Sequence, residues 1–121
     1  MTKLFALIIE DDPEIGKILS VSLQSKFETQ IIANGDVALS KLAQVVPALI
    51  ILDLHLPNVS GMDILAQIRA DQRFAGTRVI LCTADSLGVE SLRRQADFVL
   101  LKPISPSQLS ELASRLIDSP E

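Results

Sequence analysis

Five short apolar runs punctuate the chain, and between them the spacing of hydrophobic residues changes. "LFALIIE" (4–10), "TQIIA" (29–33), "ALIILD" (48–53), "RVILCT" (78–83) and "DFVLL" (97–101) are rich in Ile, Leu and Val. Runs of this length predict strands, and their nearly unbroken hydrophobicity predicts strands covered on both faces. The intervening segments repeat at three and four residues. Ile15, Ile18, Leu19, Ser22 and Leu23 follow Asp12-Pro13, where aspartate can cap a helix and proline can begin one. Asp36 to Ala43 follows the turn Asn34-Gly35, and Met62, Ile64, Leu65 and Ile68 follow Ser60-Gly61. Another helix is expected near "SLGVESLRRQ" (86–95). Pro106 opens the last, with Leu109, Leu112 and Leu116 on one face.

Strand and helix thus alternate five times, which predicts an α/β domain with a five-stranded parallel sheet. Right-handed crossovers on an open sheet give a doubly wound arrangement, whose site lies at the carboxyl ends of the strands. Residues 1–121 read as one domain, without internal repeats or low-complexity stretches.

Composition narrows the functions. Hydrophobic residues make up 48% of the chain and aromatics only 3%, with no Trp or Tyr, so the core is aliphatic and base-stacking platforms are missing. The net charge of −4 offers no footprint for a phosphate backbone, so no direct nucleic-acid contact is expected. No apolar run reaches 18 residues, so no membrane span is expected. The single Cys82 sits among strand residues and reads as core packing, which fits a reducing cytoplasm.

The predicted carboxyl edge collects chemistry. Strand one ends in Glu10, Asp11 and Asp12, strand three in Asp53, strand four in Thr83, and strand five in Lys102 before Pro103. Asp53 follows four apolar residues, Leu49 to Leu52, where a lone charge is costly. Clustered carboxylates also repel, by roughly 4 kcal/mol for two charges about 4 Å apart at an effective dielectric of about 20. A divalent cation relieves this, and hard oxygen ligands with room for water suit Mg2+. Lys102 adds positive charge. Such a pocket can keep Asp53 ionised, hence nucleophilic, and can neutralise phosphoryl oxygens, with Thr83 donating a hydrogen bond. Asp12 alone reads as a helix cap.

"ALIIEDDPEIGKIL", "LIILDLHLPNVSGMDIL", "VILCTAD" and "LLKPISPSQL" resemble the receiver domain of two-component response regulators, across essentially the whole chain. The resemblance implies a flavodoxin-like (βα)5 fold and a cytoplasmic phosphorelay protein that catalyses only its own phosphotransfer and dephosphorylation. It implies that Asp53 accepts a phosphoryl group from a histidine kinase or histidine phosphotransfer protein. Asp11 and Asp53 would ligate Mg2+, Glu10 would do so through water, and the backbone carbonyl of His55 would complete the protein ligands. Thr83 and Lys102 would hold the phosphoryl oxygens, and Lys102-Pro103 would be cis. His55 and Asp85, each two residues beyond a site residue, would tune the lifetime of the phosphorylated state. Output would pass to a downstream protein partner or to an effector domain beyond this chain.

Two features depart from the family pattern. The position three before the lysine, usually Tyr or Phe, is Val99, and Phe98 beside it should face the opposite side. The segment between Thr83 and Lys102 is short, so the helix near 86–95 should lose about one turn. Weaker switching is therefore expected, in a monomer or weak dimer. An aspartyl phosphatase of the haloacid-dehalogenase type would need an acid where His55 stands. Dinucleotide binding would need glycines where the first turn reads "EDDPE". A phosphorylation-independent interaction module with the same fold stays open as the alternative.

Overall fold

The computed structural model describes residues 3–84 and 92–118. In chain order the elements are β1 (Leu4–Ile9), α1 (Pro13–Leu23), β2 (Phe27–Ile32), α2 (Gly35–Leu42), β3 (Leu49–Asp53), α3 (Gly61–Ala70), a 3-10 turn (Gln72–Phe74), β4 (Arg78–Thr83), β5 (Phe98–Leu101) and α4 (Pro106–Asp118). The five strands form one parallel sheet in the order β2-β1-β3-β4-β5. This is the doubly wound arrangement expected from the alternation, with the flavodoxin-like fold that the resemblance implied. Most of the helix anticipated near 86–95 falls outside the described residues, as does Asp85.

Alternation along the strands divides the core into two layers. Leu7, Ile9, Ile50, Leu52, Val79, Leu81 and Val99 point to the side of Ile64, Leu65 and Ile68 on α3 and of Ala38 and Leu42 on α2. Ala6, Ile8, Leu49, Ile51, Ile80, Cys82 and Leu100 meet Leu19 and Leu23 of α1 and Leu109 and Ala113 of α4. The central strands β3 and β4 are almost wholly buried, which is why their sequences read as unbroken apolar runs.

The helices begin where short polar side chains can accept from free backbone amides. Asp12 Oδ1 accepts from Glu14 N at 2.9 Å and Ile15 N at 3.3 Å. Asn34 Oδ1 accepts from Asp36 N at 2.7 Å, so Asn34 is a cap and Gly35 the first residue of α2 rather than part of a preceding turn. Two expected core positions are exposed: Ile18 at 48% and Met62 at 43%. At 100° per residue, Ile18 lies off the Gly16-Leu19-Leu23 stripe and Met62 off the Ile64-Leu65-Ile68 stripe. β2 also starts two residues before the expected Thr29, because Phe27 and Glu28 pair with Leu4 and Phe5.

Candidate functional site

Because all strands are parallel, their carboxyl ends share one edge, and backbone bonds set each site residue there. Glu10 N donates to Ile32 O at 3.0 Å, carrying β1 one residue beyond its end. Leu54 N donates to Cys82 O at 3.1 Å, and Lys102 N donates to Thr83 O at 2.8 Å. Asp53, Thr83 and Lys102 therefore stand side by side.

The side chains converge further. Lys102 Nζ lies 3.2 Å from Glu10 Oε1 and 3.3 Å from Asp53 Oδ2. Glu10, Asp53 and Thr83 are each 2% exposed, whereas Asp11 is exposed. Carboxylate oxygens of Glu10, Asp11 and Asp53 lie within 4.8 Å of one another. Asp12, committed to capping α1, stands outside this group. Asp53 Oδ1 accepts from His55 N at 3.0 Å and Glu10 Oε2 from Asp12 N at 3.2 Å, so the amides after each acid orient it. The His55 side chain is exposed at the rim, and Lys102-Pro103 is cis.

Electrostatics follow from this crowding. Burial pushes Glu10 from its ordinary 4.5 to about 7, and the nearby Asp53 carboxylate adds to the rise, against the Asp12 amide and the Lys102 ammonium. For Lys102, burial favours the neutral amine, but the charges of Asp53 and Glu10 outweigh it and raise its pKa. Burial pushes the Cys82 thiol up to about 12, so it stays protonated and packs as an apolar residue. A pocket of three acids and one ammonium, with oxygen donors only, could hold a hard divalent cation.

One constraint had no sequence signal beyond a turn-like Ser-Gly pair. A Cβ at Gly61 would lie 2.5 Å from Asp53 O and 2.6 Å from Leu54 Cα. Gly61 N also donates to Leu54 O at 3.2 Å, folding the β3–α3 loop back onto the strand end that carries Asp53. Within that loop Asn58 adopts φ 69°, a left-handed conformation asparagine tolerates better than most residues. Val99, 5% exposed, fills the α2–α3 layer, while Phe98 is 38% exposed on the other face, so no ring stands in for it.

No helix among the described residues is long and apolar enough to cross a membrane. The family model described as response regulator receiver domain matches residues 6–114. The DNA-binding response regulator MtrA of Mycolicibacterium smegmatis is 34% identical over 110 residues, covering 85% of this chain and 46% of MtrA. The chain thus spans about half the length of the curated relatives it matches. Response regulator DrrB of Thermotoga maritima, described as an OmpR/PhoB homolog, superposes with a TM-score of 0.87 at 26% identity, over 97% of this chain and 54% of DrrB. The chemotaxis response regulator CheY4 of Vibrio cholerae shares the fold, with a TM-score of 0.85 at 24% identity over 95% of this chain and 99% of CheY4. With a matching profile across nearly its whole length and the acidic pocket at the expected edge, the chain belongs to the response regulator receiver domain family.

Proposed function

We propose that Asp53 accepts a phosphoryl group from the phosphohistidine of a histidine kinase or histidine phosphotransfer protein. The observation that carries this is the placement of Asp53: 2% exposed, beside two further acids and 3.3 Å from an ammonium. An Asp53 oxygen attacks phosphorus, the P–O bond forms, the P–N bond to the imidazole breaks, and the leaving imidazole takes a proton. The His55 amide holds Oδ1 and so orients the carboxylate for attack. Lys102 neutralises charge on the phosphoryl oxygens, and the Thr83 hydroxyl, at the end of β4, donates to one of them.

Glu10, Asp11 and Asp53, with the backbone carbonyl of His55, would hold Mg2+, whose chemistry is charge neutralisation of the transferring group. Water attack reverses the modification, and His55 with Asp85 sets its rate by shaping access of that water. The phosphorylated receiver changes its contacts with a protein partner or effector domain; in MtrA that output is DNA binding, as its name states. We assign residues 1–121 as a single receiver unit acting in the cytoplasm as a phosphoprotein of a two-component relay. The complete set of acids and lysine disfavours the phosphorylation-independent alternative.

The test is an adduct experiment. Beryllofluoride or acetyl phosphate with Mg2+ should modify the wild type at Asp53, detected by intact mass for the phosphorylated form and by chemical shifts for the beryllofluoride form. Asp53→Asn should show neither, and wild-type modification in that variant would refute the assignment.

A further inference from the structure

A second polar cleft lies at the opposite end of the sheet from Asp53. It encloses about 440 Å³ and is lined by Arg69 from α3, Gly76 and Thr77 from the loop before β4, Arg78 at the start of β4, and Arg94 and Asp97 before β5. Five residue steps of β4 separate Arg78 from Thr83, or about 17 Å of strand. The cleft therefore shares no residue with the acidic pocket.

Three guanidinium groups here meet one carboxylate, although the chain as a whole carries a net charge of −4. Asp97 is fully committed: Oδ2 accepts from Arg69 Nη2 at 3.2 Å and from Val79 N at 2.8 Å, and Oδ1 accepts from Arg78 Nη1 at 3.1 Å. Arg69 also donates to the Gln95, Phe74 and Thr77 carbonyls. Arg78 gives a single bond, to Asp97, and Arg94 makes no hydrogen bond or ion pair among the described residues. Arg78 and Arg69 are only 27% and 28% exposed, so the excess charge is partly desolvated. A Cβ at Gly76 would meet nothing within 4 Å, leaving that wall open to a ligand.

We propose that this cleft binds a small molecule carrying a phosphoryl dianion or pyrophosphate group. The donors of Arg78 left over from its single bond to Asp97, and the planar fork of Arg94, match phosphate oxygens in a way a point charge would not. The volume falls within the usual range of small-ligand sites, about 300–1,000 Å³. The ligand would neutralise the two excess charges while leaving the Asp97 clamp in place. It would also fix the Arg94–Asp97 stretch, which feeds into β5 and Val99, without entering the phosphorylation site.

The probe is pyrophosphate, titrated into the metal-free chain at physiological ionic strength, with calorimetry and amide chemical shifts as readouts. Saturable binding is expected, with shifts clustered at Gly76, Thr77 and Arg94 to Asp97. R94Q removes a side chain with no partner among the described residues and so should fold normally. R78K keeps the charge but loses the fork; each should weaken binding by about tenfold or more, the scale of a lost charge-assisted bond. Absence of saturation, unchanged affinity in R94Q, or shifts clustered instead at Glu10, Asp53 and Lys102 would overturn the proposal. Binding of an acidic peptide but not of pyrophosphate would overturn it equally.

Discussion

Replacing Glu10 by Gln isolates the strain in the acidic pocket. Gln keeps the size of the side chain and an oxygen to accept from Asp12 N, but removes the charge. In the metal-free protein Glu10 titrates near 7 when folded, against 4.5 ordinarily, because burial and Asp53 disfavour its ionised form. A raised folded pKa means that the native state binds the extra proton between these values. Glu10 therefore stabilises the fold below pH 4.5, and that contribution is lost as pH rises toward 7. One proton gives a slope of at most about 1.4 kcal/mol per pH unit, hence up to about 3 kcal/mol across the window, less where water screens the pair. Urea denaturation of wild type and E10Q in EDTA, from pH 4 to 8, measures this as a difference that cancels other titrating groups. Wild type should lose stability relative to E10Q through the window, and Mg2+ should restore it preferentially in the wild type. A difference curve that is flat, or that rises with pH, would refute the account of the pocket.

Other perturbations test the remaining parts. Lys102→Ala should cost about 1–2 kcal/mol, below the full penalty for breaking a buried pair, because Glu10 can take up a proton. Its amide shifts on beryllofluoride addition should differ from those of wild type, and identical shifts would place Lys102 outside the phosphoryl shell. Mg2+ should raise the melting temperature, worth about 2.7 kcal/mol at a hundredfold excess over Kd, and Asp11→Ala should abolish most of that gain. Gly61→Ala forces a Cβ into backbone 2.5 Å away, so it should cost about 1–3 kcal/mol and slow adduct formation at Asp53. Wild-type stability and adduct rate in Gly61→Ala would show that the loop adapts freely.

Much of this molecule is written locally. The strands β3 and β4 are legible because burial on both faces demands continuous apolar runs, and Asp12 is legible as a cap because its short polar side chain satisfies free amides. Parallel pairing of those strands then implies that Glu10, Asp53, Thr83 and Lys102 share an edge, since strand ends align when crossovers are helical. What the sequence could not determine depends on distances between segments far apart in the chain. Lys102 reaches Glu10 across 92 positions, and the burial of Glu10 beside Asp53, which raises its pKa against the pull of that ammonium, exists only in the assembled edge. Gly61 reads as a turn residue until the β3–α3 loop closes on Asp53 O. Arg69, Arg78 and Asp97 carry no recognisable motif, because the clamp exists only once α3, β4 and the approach to β5 are packed together. Periodicity encodes which face a residue takes; the field and contacts it meets there arise from the assembled sheet.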